Sequence, residues 1–177
     1  RTGTPGSGVR LPFVSNNGYQ GFNCVLWNAG GLVHDKSKIR LTKGNEVLKL
    51  CRKHDVVGLL EVHGPKTALE QLLAMCLHTH TLLYSPLLRD GCVHAGAGGV
   101  AILVRKAILE SNLGTQLSST NIVDGRVVNV NLKGRNFDHR MYFIHNCGLS
   151  PTQMSTIEES ILADRDVSGV NPSVTVS

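Results

Sequence analysis

FNCVLWNAGGL, residues 22–32, is an apolar, strand-like run that stops at an amide and is followed by two glycines. Successive side chains point to opposite faces of a strand. Val25 and Trp27 therefore fall on one face, and Cys24 and Leu26 on the other. The run reads as a buried strand with Asn28 at its end. Gly30 and Gly31 give the chain freedom to turn away there. Asn28 either begins an ordinary turn or forms the floor of a polar site at the strand's rim.

Working outward, short β-rich runs alternate with helical stretches. GNEVLKLCRKH (44–54) predicts a helix, with Val47, Leu48 and Cys51 on one side. DVVGLLE (55–61) is apolar on both faces, as in a central strand. PKTALEQLLAMCLH (65–78) predicts a helix with proline near its start. TLLYSPL (81–87) and GGVAILVRK (98–106) predict strands, and GRVVNVNLKG (125–134) pairs with HRMYFIHNC (139–147) through KGRNFD. SPTQMSTIEESILADRD (150–166) begins as a capped helix, with Ser150 at the N-cap, Pro151 at N1 and Gln153 at N3. Residues 1–20 are rich in Gly, Pro, Ser and Asn and read as a flexible lead-in; residues 21–177 form one unit.

Composition bounds the function. The 177 residues are 41% hydrophobic, enough for one domain with a core. A net charge of +5 tilts mildly toward polyanionic partners, although the basic residues are scattered. Five cysteines, with neither a secretory segment nor an apolar run of bilayer length, favour reduced thiols inside a cell and no membrane partner.

Three of the predicted strands end in polar residues: Asn28, Glu61 and His145–Asn146. Strand ends meet solvent, so each residue alone is ordinary. A carboxylate closing a doubly apolar strand is costly to desolvate unless something compensates. A hard cation would do so, because oxygen ligands from Asn and Glu suit magnesium.

Taken in order, WNAGGL, LLEVHG, GGVAILV, GRVVNVNL and a strand ending in IHN resemble the endonuclease/exonuclease/phosphatase superfamily. The wording is closest to the endonuclease domains of non-long-terminal-repeat retroelements, which read W-N-x-x-G-L, E-T-H and G-G-V-A-I-L. The resemblance spans about Phe22 to Pro172. It implies an α/β (α+β) fold, a four-layer αββα sandwich of mostly antiparallel sheets flanked by helices. It also implies phosphodiester or phosphomonoester cleavage with Mg2+ or Mn2+. By the same likeness Asn28 and Glu61 bind the metal, and Asn28, Glu61 and His145 are catalytic. His63, Arg126 and Asn146 lie on the substrate side, with Arg126 equally suited to a structural salt bridge. A DNA backbone is the implied partner, a reverse transcriptase a possible fusion, and the nucleus of a eukaryotic host the implied location. The family's G-D-x-N and S-D-H motifs do not occur, and NPSVTVS looks like the lead into the first. The chain thus reads as the N-terminal part of an incomplete sandwich without its general base. A non-catalytic remnant, or a small-molecule or lipid phosphoesterase, is the alternative.

Rival motifs have plainer explanations. GAGGVA (96–101) fits a dinucleotide fingerprint, yet it leads into a strand rather than a helix. CLHTH (76–80) and CVH (92–94) offer zinc ligands at an unusual spacing. Cys76 is expected as a small core hydrophobe, like Cys24 and Cys51. Cys147 could contact His145 on a shared strand face, but it reads more simply as a strand-end residue. Trp27 is expected in the core, and His34, His54 and His139 at solvated positions.

Overall fold

A computed structural model describes residues 9–15, 18–33, 37–89, 92–93, 98–111, 115–135, 137–168 and 173–176. Along the chain run β1 (Val9–Ser15), β2 (Gly18–Asn28), α1 (Ser37–Lys53), β3 (Val56–Leu60), α2 (Lys66–Leu72), α3 (Ala74–Leu77), β4 (His80–Ser85), β5 (Leu88–Arg89), β6 (Cys92–Val93) and β7 (Val100–Arg105). There follow α4 (Lys106–Ser111), β8 (Gln116–Val123), β9 (Val127–Gly134), β10 (Phe137–Ile144), α5 (Pro151–Ser168) and β11 (Ser173–Val176). One sheet has the order β1-β2-β3-β7-β4 and a second β11-β10-β9-β8; β5 and β6 pair separately. The pairs β2–β3 and β10–β11 are parallel, and the other pairs antiparallel.

Side-chain alternation builds the layers. Phe22, Cys24, Leu26, Val56 and Leu60 face the second sheet's Val128, Val130, Leu132, Met141 and Phe143. On the outer face of the first sheet, Val25, Trp27, Val57 and Leu59 pack against Val47, Leu50, Leu69 and Leu73 of the helical layer. On the outer face of the second, Tyr142 and Ile144 meet Ile157 of α5. The result is helices, sheet, sheet, helix, as the sequence predicts. β3 is the middle strand and is buried along its whole length.

Gly58 lies against the second sheet. A Cβ built there would lie 2.5 Å from Phe143 Cδ1 and 2.7 Å from Leu26 Cδ1. The Phe143 ring uses the space that any side chain at 58 would need. α5 is fastened to the second sheet by Asp164, which accepts from Tyr142 Oη at 2.6 Å and Asn129 Nδ2 at 2.7 Å and pairs with Arg140. Its start is the reciprocal cap read from sequence: Ser150 N donates to Gln153 Oε1 at 2.8 Å and Gln153 N to Ser150 Oγ at 3.2 Å.

The structure departs from the sequence reading in several places. Residues 9–15, expected as part of a flexible lead-in, form β1 and pair with residues 18–24. Pairing satisfies the backbone groups along the flank of β2, and Pro12 is tolerated because β1 is an edge strand. Residues 1–8 lie outside the described residues. α1 starts at Ser37, seven residues before the expected start at Gly44. Gly44 is no boundary but a contact: a Cβ there would be 2.8 Å from Leu72 Cδ1. The helix expected over 65–78 breaks at Leu73, where Cys76 N bonds to Leu73 O in a tightened turn. The exposed strand β8 was not anticipated, since its polar run QLSSTNIV lacks an alternating pattern. His139 lies half-buried within β10 rather than at a solvated loop or helix end; its ring packs edge-on to Phe22 and stacks on Phe137. His54 is half-buried at the end of α1, and His34 lies outside the described residues.

At the end of the first sheet away from Asn28, His80 is buried, with Nδ1 2.9 Å from Thr79 Oγ1 and Nε2 3.4 Å from His54 O. Burial lowers its pKa from the usual 6.5, against the hydrogen bond to His54.

Two expected outcomes follow from this packing. Gly58→Ala should destabilise the fold by about 1–3 kcal/mol in urea unfolding, because Phe143 and Leu26 must move. As pH falls below 6.5 the unfolded chain takes up a proton at His80 that the folded chain resists, so stability declines on acidification. The fall in thermal midpoint between pH 7 and pH 5 should be shallower in His80→Gln than in the wild type.

Candidate functional site

The parallel pairing of β2 and β3 delivers Asn28 and Glu61 to the same edge of the first sheet. Beyond β2 the chain keeps tracking its neighbour: Ala29 N donates to Leu60 O at 2.9 Å, Gly31 N to Glu61 O at 2.7 Å and Val33 N to Val62 O at 3.0 Å. Asn28 Oδ1 accepts from Gly30 N at 3.0 Å, so it does begin a turn, with Gly30 and Gly31 at φ 53° and 80°. The amide oxygen retains a second lone pair for another partner.

Glu61 and His63 both adopt positive φ, 53° and 55°, and neither is glycine. Such residues cost of order 1–3 kcal/mol each and persist only where surroundings hold them. Here Val62 is fully buried between them, and Val62 N and His63 N donate to Gly99 O and Gly98 O at 3.1 and 3.0 Å. The backbone thus drives Val62 into the helical-side core and leaves Glu61 and His63 at the rim. His63 lies against Gly31, where a Cβ would be 3.1 Å from its Nδ1.

From the second sheet, His145 places Nε2 3.0 Å from Glu61 Oε1, and its side chain is 3% exposed. Its Nδ1 lies 2.6 Å from Arg126 Nη1, and its backbone N donates to Arg126 O at 2.8 Å. A guanidinium only donates, so Nδ1 is the acceptor. The ring proton then sits on Nε2 and is donated to Glu61. Burial, and next the Arg126 charge, lower the His145 pKa, while Glu61 opposes them. His145 is a neutral imidazole bridging a cation and a carboxylate. This differs from the expected phosphate contact, because both ring nitrogens are already engaged. Arg126 is bonded to His145 rather than to a carboxylate. Asn146 is exposed beside it and begins a turn through Leu149 N, 3.4 Å from its carbonyl.

Asn28, Glu61, His63, Arg126 and His145 therefore meet at one rim, with Asn146 next in sequence. The charges of Glu61, Lys43 and Arg126 all act on the His63 ring, whose pKa is lowered mainly by burial. Lys43 was not anticipated. Its Nζ donates to the carbonyls of Ala29, Gly30 and Gly31 at 2.6, 2.6 and 3.1 Å, and the residue is only 7% exposed. The signal was present as a lysine in phase with Val47 and Leu50 on the buried face of α1.

The rival motifs disperse. Cys76 is buried among Leu69, Leu73 and Cys51, and His78 is exposed while His80 turns to Thr79 and His54. His94 lies outside the described residues. Cys147 is exposed and His145 buried with both nitrogens occupied, so they form no pair. Gly98 and Gly99 lead straight into β7 and accept the amides of residues 62 and 63, so they serve as packing and turn positions. Cys24 is in the core, its thiol pKa pushed up to about 12 by burial, and Trp27 is in the core as expected.

Glu61 is a hard oxygen donor, partly exposed, with one oxygen committed to His145. Asn28 adds an amide oxygen. Among the described residues no three His, Cys, Asp or Glu side chains cluster as metal ligands. One carboxylate with an amide fits part of a magnesium site, since that ion keeps several waters and phosphate oxygens as ligands.

A family model described as the Endonuclease/Exonuclease/phosphatase family matches residues 25–169. No curated protein matches by sequence. Among solved structures, TDP2 from Caenorhabditis elegans is similar at 17% identity and TM-score 0.53, covering 88% of this chain and 45% of that one. A truncated form of that protein gives 16% identity and TM-score 0.50, over 88% and 59%. AP endonuclease LMAP from Leishmania major gives 14% identity and TM-score 0.50, over 81% and 46%. The chain thus spans about half the length of these structures and shares their fold over that span. With the family model matched over most of the sequence and the two-sheet sandwich in place, the chain belongs to the Endonuclease/Exonuclease/phosphatase family.

Proposed function

We propose that this chain is part of a divalent-metal-dependent phosphodiesterase that cleaves nucleic acid, in its finer form a DNA-nicking endonuclease of a non-long-terminal-repeat retroelement. The observation that carries the reading is a carboxylate held at a strand rim by a neutral histidine, beside an amide from the neighbouring strand. Family membership supports hydrolysis of phosphate esters. The retroelement reading rests on the wording of WNAGGL, LLEVHG and GGVAILV.

In this proposal Glu61 and Asn28 hold Mg2+ or Mn2+. The ion would polarise a nonbridging phosphate oxygen and offset charge gathering in the transition state. His145 donates its Nε2 proton to Glu61 and fixes which way the carboxylate faces; a partner of this kind raises ligand affinity. Arg126 sets the tautomer of His145. His63 and Asn146 face the substrate backbone, and the net positive charge favours the approach of a polyanion. The remaining ligands and a general base belong to motifs these residues do not contain. A partner reverse transcriptase and a nuclear setting go with the retroelement reading.

The test uses the 177-residue chain, nuclear magnetic resonance and two titrants, Mg2+ and a DNA duplex. Mg2+ should shift the signals of Asn28 and Glu61, and Glu61→Gln should abolish those shifts. His145→Gln should weaken Mg2+ binding by about 10–100-fold. Duplex binding should weaken linearly in log affinity against log salt. Mg2+ shifts that survive Glu61→Gln would overturn the ligand assignment. An inositol phosphate that outcompetes the duplex at the same rim would overturn the nucleic-acid reading in favour of a small-molecule phosphoesterase.

A further inference from the structure

Lys43 takes no part in the roles above, yet it is a charged side chain buried beside the site. It projects from α1 under the turn that follows Asn28 and ends on three consecutive carbonyls, of Ala29, Gly30 and Gly31. Three acceptors converging on one buried point repel one another unless a cation lies between them. An ammonium carries three donors, one for each. The same turn uses its outward-facing groups at the rim: Gly30 N holds Asn28 Oδ1, and Gly31 N holds Glu61 O. The carbonyls of the turn are therefore bound by Lys43, while its amides bind the Asn28 side chain and the main-chain carbonyl of Glu61.

We propose that Lys43 is a positioning residue, an internal cation that holds the 29–31 turn in the one conformation that presents Asn28 and Glu61 together. The inference deepens the proposed function and rests on those two residues as the ligand pair. It differs from simple helix packing in what depends on it. A lysine that merely filled space would support the whole first sheet. A clamp on three carbonyls acts on Gly30 and Gly31 and, through them, on Asn28 and Glu61. The conformational freedom of Gly30 and Gly31 and the left-handed φ of Glu61 make this segment one that needs holding. Burial lowers the Lys43 pKa and the Glu61 charge opposes that shift, which places the two groups within electrostatic reach.

The experiment compares wild type and Lys43→Ala by amide hydrogen exchange and Mg2+ titration in the 177-residue chain. The substitution should speed exchange of the Gly30 and Gly31 amides by about tenfold or more and leave the amides pairing β9 with β10 unchanged. n-Propylammonium, which returns three donors on the three-carbon stem that alanine lacks, should restore protection. Tetramethylammonium, a cation without N–H donors, should not. Mg2+-induced shifts at Asn28 and Glu61 should weaken with the substitution and recover with n-propylammonium. Unchanged Gly30 and Gly31 exchange, a uniform rise across both sheets, or rescue by both cations alike would overturn the clamp. Absence of Mg2+ shifts in the wild type, with the exchange effect and its rescue intact, would instead overturn the ligand reading and leave the clamp standing. If Lys43→Ala does not fold, the wild type carries the test. The Lys43 ammonium should show scalar couplings across its hydrogen bonds to the carbonyl carbons of Ala29, Gly30 and Gly31, and their absence would overturn the proposal.

Discussion

The packing of Phe143 on the bare backbone of Gly58 governs how closely the two sheets approach. Everything at the rim inherits that spacing. Glu61 lies three residues beyond Gly58 and His145 two beyond Phe143, so their 3.0 Å contact reads out the sheet separation a short way from the core. A side chain at 58 would have to displace Phe143 and Leu26, and the contact that orients Glu61 lies only a few residues further along the same two strands. The glycine in a strand otherwise filled with Val and Leu is thus tied to the site although it touches no polar group.

A second constraint is backbone strain at Glu61 and His63. Two non-glycine residues with positive φ flank a fully buried valine. Their cost is offset by backbone bonds to Gly31, Gly98 and Gly99 and by burial of Val62 among the helices. The strain has a geometric result. Alternation along a regular strand would send residues 61 and 63 to one side in extended form; the left-handed turns instead lift both side chains onto the rim. Local preference yields to tertiary packing where the polar groups gather.

Much of this was legible in the sequence because apolar runs that end in polar residues are strong signals. Strands ending at Asn28, Leu60 and Ile144 follow from that pattern, and so does the sharing of the core between alternate faces of β2. The illegible parts have physical causes. Backbone pairing of β1 needs no hydrophobic code, and its Pro and flanking Asn look like loop. Gly44 resembles a helix boundary, yet it marks a close helix–helix contact; placing the boundary there put Lys43 in a loop and hid it. The order of residues placed His145 at a strand end. Only coordinates show that Arg126 takes one ring nitrogen and Glu61 accepts from the other.

The protonation state of His145 matters for more than its own burial. A charged imidazolium would form a full ion pair with Glu61 and compete with any other cation for the carboxylate. A neutral ring gives Glu61 a single directed hydrogen bond and leaves its negative charge available. Burial and Arg126 both favour the neutral form. Lys43 is within electrostatic reach of the same carboxylate, its charge already committed to three carbonyls. The rim therefore holds the Glu61 carboxylate steady with groups that do not consume its charge, which is the electrostatic condition for accepting a hard cation from solution.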